Sequence, residues 1–294
     1  MMLEQRSPGA RYLGKLGTML EAIKFEHTIF TLPFAYLGMV LAARGLPTLQ
    51  QVVWITVALA AARTWAMGTN RLIDREMDAL NPRTARRALP IGLLTPRDMW
   101  LLSSASVVIL LVAAWQLNDL CLKLAPLAIA FLFAYSYVKR YSWATHIALG
   151  ISDGLAPLGA WIGVTGSVSL EAILLFLAVG IWIGGFDLIY ACQDVEFDRT
   201  HTVESIAKSY GVAAALNLSS LAHALTALIL LALGLLMGLG PLYYVGWLLA
   251  VGLLIYEHRL VSPTDLSRLN VAFFNVNGYI AVIVFAFTFA SIFV

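Results

Sequence analysis

The chain has 294 residues, 60% of them hydrophobic and 12% charged, with a mean hydropathy of +0.82. A soluble domain of that balance would expose too much apolar surface, so the composition points to an integral membrane protein. The net charge of +2 is too small to suggest a nucleic-acid partner, and the two cysteines, Cys121 and Cys192, lie in or near apolar segments and give no disulfide framework.

Residues 1–24 carry Arg6, Arg11, Lys15 and Lys24 but no apolar stretch closing on a small-residue cleavage site. No secretory signal is therefore expected, and 1–20 reads as a cytoplasmic lead-in to a single domain covering 1–294. Apolar runs near the ~20 residues that cross hydrocarbon fall at 25–43, 51–70, 99–117, 120–138, 143–163, 170–193, 217–238, 241–257 and 271–293. Lipid offers no partner to free backbone groups, so each span must be helical. The expectation is an all-α membrane bundle of about nine helices, with short breaks near 118 and 239. If the N-terminus is cytoplasmic, every Lys and Arg except Arg44, Lys123 and Arg63 falls in a cytoplasmic segment, which sets the orientation.

The second span ends in Asn70-Arg71-Leu72-Ile73-Asp74-Arg75-Glu76-Met77-Asp78. Asn70, Asp74 and Asp78 recur every four residues, so on a helix they share one face in steps of roughly 6 Å. Charges also collect wherever a membrane helix surfaces, and one patch alone decides nothing. A second follows: Tyr190, Asp194 and Asp198 repeat the step, with Asp187 further up the same predicted helix. The topology puts both patches at cytoplasmic helix ends, where they can face each other across one cavity. A column of carboxylates repels itself and any anion unless hard divalent cations sit between it and a polyanion such as a diphosphate.

Basic residues suited to phosphate lie between the patches: Arg71 and Arg75, the loop residues Arg83, Arg86 and Arg87, and Lys139 and Arg140 after Tyr137. Arg71 and Lys139 are read as phosphate ligands, and Arg86, Arg97 and Arg140 as ordinary cytoplasmic-side charges. Within the fifth span, Asp153 either faces the cavity or pairs with the buried Arg63. Asn217, Asn275 and Asn277 are read as links between helices. His27 at the start of the first span is a candidate pocket residue, while His146, His201, His223 and His258 form no metal-ligand spacing.

Taken together, these features resemble the UbiA family of intramembrane prenyltransferases. The resemblance rests on Asn70-x3-Asp74-x3-Asp78, Asn81-Pro82-Arg83-Thr84, Tyr137-Val138-Lys139-Arg140 and Asp187-x2-Tyr190-x3-Asp194-x3-Asp198. The opening from Ile23 to Phe34 is similar to the 4-hydroxybenzoate polyprenyltransferase branch, part of which serves menaquinone synthesis by the futalosine route. The resemblance implies nine helices around a central cavity open sideways to the bilayer, with a polyprenyl diphosphate held by Mg²⁺ and basic side chains. It makes Asn70, Asp74, Asp78, Asp194 and Asp198 the metal set, with Arg71, Tyr137, Lys139, Asp187 and Tyr190 beside the substrate. Ala88 and Ala207 stand where the family often has proline, which affects loop shape and removes no charged ligand.

The chemistry implied is ionisation of the allylic C–O bond and attack by a ring carbon of an aromatic acid, with Arg63 as the candidate partner of the acid's carboxylate. The acceptor expected first is 4-hydroxybenzoate, and the alternative is a dihydroxynaphthoate. The expected location is the cell inner membrane with the active site toward the cytoplasm, and nothing calls for a protein partner. A CDP-alcohol phosphotransferase would need a tight Asp/Gly/Ala motif that is absent. A transporter with a carboxylate ion site is the reading from a different class.

Overall fold

The computed structural model describes residues 8–24, 28–201 and 203–294, and among them it is helical with no named strand. His27 lies outside the described residues. An N-terminal helix, α1 (Pro8–Ala22), precedes the apolar helices α2 (Thr28–Ala43), α3 (Leu49–Leu80), α4 (Pro96–Leu117), α5 (Asp119–Val138), α6 (Thr145–Thr165) and α7 (Leu170–Ala191). After α7 come a 3-10 turn (Cys192–Asp194) and the short helices α8 (Val195–Thr200) and α9 (Ile206–Tyr210). The chain then returns through α10 (Val212–Met237), α11 (Pro241–Arg259) and α12 (Asn277–Ser291), the last entered by a π-helical stretch, Val271–Val276.

Seven helical segments among the described residues are long and apolar enough to cross a membrane. The first expected span is represented by a shorter apolar helix, Thr31–Ala43. α11 has the length but ends in Glu257, His258 and Arg259, which lower its apolarity.

The helix ends follow from local chemistry. Thr48 caps α3 in a reciprocal box with Gln51, and Thr95 caps α4 in the same way with Asp98. Asn118 ends α4, and its side chain accepts from the Cys121 amide to start α5. It also donates to the carbonyls of Ile162 (2.8 Å) and Gly163 (3.3 Å), fixing that hairpin to α6. Gly238, at φ 64, ends α10, and Pro241 opens α11. Both short breaks expected near 118 and 239 are therefore true helix ends.

Two features position the site. At 1.5 Å per residue α3 is about 48 Å long against ~30 Å of hydrocarbon, so one end of it stands clear of the apolar layer. The crossing of α6 and α7 is built on small residues: a Cβ at Gly180 would meet the Gly150 carbonyl oxygen at 3.0 Å, and one at Gly184 the His146 carbonyl oxygen at 3.1 Å. That close approach brings His146 of α6 beside Asp187 of α7.

The larger described cavity, about 280 Å³, opens at the start of α3 among Thr48, Gln51, Asn118 and Gly166. A second, about 20 Å³, is an apolar gap between Phe34, Trp182 and Ile280. Neither is lined by the carboxylates of the two patches, of which Asp74, Asp78 and Asp194 instead sit against basic side chains.

Candidate active site

The first acidic column forms as the spacing predicts. Asn70, Asp74 and Asp78 lie on one unbroken helix, α3, with Asp74 2% and Asp78 7% exposed. The side chain of Lys139, at the end of α5, donates to Asp74 Oδ2, and Arg140 Nη2 lies 3.7 Å from Asp74 Oδ1. Oδ1 itself is buried and accepts no hydrogen bond. Arg87 Nη1 donates to both Asp78 oxygens at 2.7 Å. Asn70 Nδ2 donates to Ser136 Oγ at 3.3 Å, and Asn70 Oδ1 accepts from Arg71 at 3.4 Å.

The second column is a correction to the sequence reading, which ran Tyr190, Asp194 and Asp198 along a single helix face. α7 ends at Ala191, the 3-10 turn carries Asp194, and Asp198 belongs to α8. Tighter winding over those residues turns the later carboxylates away from a straight ladder. Side chains add donors at the break: Cys192 Sγ to the Leu188 carbonyl at 3.3 Å and Gln193 Nε2 to that of Tyr190 at 3.1 Å.

The two columns are joined nonetheless. Arg83, in the loop after α3, donates to both oxygens of Asp194 at 3.1 and 2.7 Å and to the Tyr190 hydroxyl at 3.1 Å. Burial alone would lower the Arg83 pKa, but the hydrogen bond to Asp194 and its charge outweigh burial and raise it. A second tie runs through backbone. The Glu204 amide donates to the Lys139 carbonyl at 2.6 Å, and the neighbouring Ser205 hydroxyl donates to Asp198 Oδ2 at 3.1 Å. Lys139 therefore touches Asp74 through its side chain while its backbone anchors the loop that holds Asp198.

The remaining predicted residues fall around this centre. Asp187 Oδ2 lies 2.6 Å from His146 Nδ1, and His146 Nε2 faces the Ile206 amide at 3.4 Å, so the Nδ1–H tautomer satisfies both. Tyr137 lies beneath Arg140, 5.6 Å from guanidinium carbon to ring centroid. Arg71 turns back from the open site, giving its Nε–H to the Ala22 carbonyl at 3.1 Å. Arg63 donates to Thr31 Oγ1 at 3.0 Å, its Nε is buried without a partner, and no ion pair joins it to Asp153 among the described residues. Arg140, expected to be an ordinary surface charge, sits beside Asp74. His146 and Ser205 were not singled out as site residues, and nothing in their spacing marks them.

The donor set suits a hard divalent cation. It is oxygen-rich, and Asp74 Oδ1 is a buried carboxylate oxygen that accepts no hydrogen bond. No three of these carboxylates come within 4.8 Å of one another as they stand, since Lys139, Arg83 and Arg87 occupy them.

The profile of the UbiA prenyltransferase family matches residues 31–290. The chain belongs to that family. As a UbiA prenyltransferase it is an enzyme and an integral, multi-pass membrane protein, in agreement with the sequence reading. The 4-hydroxybenzoate octaprenyltransferase of Aeromonas salmonicida (strain A449) is 32% identical over 250 residues, covering 83% of this chain and 84% of that protein. The apo structure of a UbiA homolog from Aeropyrum pernix K1 superposes with a TM-score of 0.82 at 34% identity, over 90% of this chain and 97% of that one. A UbiA homolog from Archaeoglobus fulgidus bound to DMAPP and Mg²⁺ shares the fold with a TM-score of 0.71 at 20% identity, over 94% and 99% of the two chains.

Proposed function

We propose that this UbiA prenyltransferase transfers a polyprenyl group from its diphosphate to a ring carbon of an aromatic acid, with 4-hydroxybenzoate as the acceptor, in quinone biosynthesis. The observation that carries this is a set of acid–base pairs, two of which join distant segments. Asp74 with Lys139, Asp78 with Arg87 and Asp194 with Arg83 gather at one end of the bundle. The name of the Aeromonas salmonicida relative favours 4-hydroxybenzoate over a dihydroxynaphthoate.

Asn70, Asp74, Asp78, Asp194 and Asp198 would hold Mg²⁺, whose chemistry there is to offset the negative charge of a diphosphate. Lys139, Arg83 and Arg87, now held by carboxylates, are within side-chain reach of the same space. Turning to phosphate oxygens, they stabilise the charge that grows on the leaving diphosphate as the allylic C–O bond breaks and its electron pair departs with oxygen. The ring carbon beside the phenolic hydroxyl supplies the electrons of the new C–C bond, and the ring then loses its proton. Arg63 lies seven residues before Asn70 on the same face of α3, about two turns deeper. Its unpartnered Nε suits the acceptor carboxylate. Tyr190, held by Arg83, and Tyr137, beneath Arg140, flank the charged centre.

The weight of Lys and Arg on one side supports a cytoplasm-facing site in the cell inner membrane. Carboxylates gathered at a helix end favour the enzyme over a midplane ion carrier. The test is to give purified protein geranyl diphosphate, Mg²⁺ and a panel of phenolic acids and dihydroxynaphthoates in detergent, then identify products by mass spectrometry. Prenylated 4-hydroxybenzoate is the expected product. A product from a dihydroxynaphthoate alone would overturn the acceptor assignment.

A further inference from the structure

A second polar cluster lies between α10 and α11 and uses none of the carboxylates of the two patches. It joins His223 of α10 to Glu257 and His258 at the end of α11, and the ligand atoms of all three lie within 4.8 Å of one another. Glu257 is 0% and His223 2% exposed. Glu257 Oε1 accepts from Asn277 Nδ2 at 2.7 Å, but Oε2 is buried with no hydrogen-bond partner, 3.4 Å from His223 Nδ1. An unpaired carboxylate oxygen in so apolar a place costs several kcal/mol in the absence of a cation.

The surrounding groups show where the protons are. His223 Nε2 faces the Trp182 carbonyl at 3.3 Å, and a carbonyl can only accept. Nε2 therefore carries the hydrogen and Nδ1 is a lone pair. That lone pair faces His258 Nε2 at 2.9 Å. Ser220 gives its hydroxyl hydrogen to the Leu216 carbonyl at 3.1 Å, so its oxygen accepts from His258 Nδ1 at 3.1 Å. His258 Nε2 is then a lone pair as well. Two imidazole nitrogens and a carboxylate oxygen converge with no hydrogen between them. One proton shared by the imidazoles would satisfy the nitrogens and leave the carboxylate bare, and a proton on Glu257 would leave the two imidazole lone pairs opposed at 2.9 Å, whereas a divalent cation satisfies all three.

We propose that His223, Glu257 and His258 bind a divalent transition-metal ion of the zinc class. Two imidazoles and one carboxylate suit Zn²⁺ and its first-row neighbours, whereas Mg²⁺ takes oxygen ligands. The ion clamps α10 to α11. Trp182 and Asn277, hydrogen-bonded to each other at 2.9 Å, extend the clamp to α7 and α12. On α7 the next turn carries Phe186, which packs on Phe273, and Phe273 in turn stacks on Tyr190 at 4.1 Å. The clamp thus supports the wall behind Tyr190 without touching substrate.

The test uses full-length protein purified in detergent, stripped with a chelator, reloaded with Zn²⁺ or Co²⁺ and desalted. Metal is counted by mass spectrometry and Co²⁺ followed by visible absorption. One ion per chain should remain on the wild type, and an excess of Zn²⁺ but not of Mg²⁺ should displace Co²⁺. Glu257→Gln, which keeps the shape of the side chain, and His258→Gln should each weaken retention by at least about tenfold. An Asp74→Asn, Asp194→Asn double variant should keep the ion. No ion on the wild type, or equal retention by Glu257→Gln and His258→Gln, would overturn the proposal. Should a variant fold poorly, the wild-type competition experiment alone decides: displacement by Mg²⁺ as readily as by Zn²⁺ also overturns it.

Discussion

The two acid-bearing segments reach the same place by different routes. The α3 column rides an unbroken helix, and its carboxylates are deep: the side chains of Asp74 and Asp78 are 2% and 10% exposed. The α7–α8 column is split by a 3-10 turn, and Asp194 sits at the break with its side chain 18% exposed, gripped by a loop arginine 111 residues earlier in the chain. The rigid wall is a continuous helix, and the more adjustable wall is one broken at a 3-10 turn, where hydrogen-bond geometry is poorer than in an α-helix.

The largest expected effect removes one carboxylate from each wall. Asp74→Ala and Asp194→Ala should each lower turnover by about 10²–10³ or more, as loss of a group acting on developing charge does. The measurement is transfer of a labelled prenyl chain by protein that still purifies as a folded monodisperse species. Near-normal turnover in either variant removes that wall from the site. Cutting the tie between the walls comes next. Arg83→Ala should raise KM for the prenyl diphosphate by about tenfold to a hundredfold, and Arg83→Lys should recover only part of it, because the fork that grips both Asp194 oxygens is lost. Full recovery by lysine would mean that charge alone matters there.

A smaller effect concerns support of the adjustable side. His146→Ala leaves Asp187 and the Ile206 amide without their shared partner and should cost about 1–3 kcal/mol, read as a lower midpoint of thermal unfolding in detergent. The smallest is a control on the rigid side. Thr48→Ala removes the cap at the far end of α3 and should cost about 1 kcal/mol with turnover unchanged. If turnover fell as well, the far end of α3 would be coupled to the acids.

The first column was legible in the sequence because a four-residue step on a continuous helix needs no tertiary information. The second was legible as composition and not as shape, since a four-residue spacing carries no sign of the 3-10 turn at Cys192–Asp194. Helix ends were readable from capping chemistry, as at Asn118 and Gly238. Arg71 follows Asn70 by one residue, so a helix turns it about 100° from the acidic face; its Nε–H goes to the Ala22 carbonyl while its Nη1 still reaches Asn70 Oδ1. Arg140 could not be separated from an ordinary surface charge until α5 was seen to end beside Asp74. His223 and His258, 35 residues apart, have no metal-ligand spacing, and only the packing of α10 on α11 brings them together.

The excess length of α3 carries a consequence for traffic through the bilayer. Its charged turns, residues 70–78, follow the apolar stretch of the same helix, so under the proposed function an amphiphilic diphosphate would meet them head first while its tail stays in the leaflet. No charged headgroup has to be dragged through hydrocarbon, where even a single ion costs on the order of 3 kcal/mol or more.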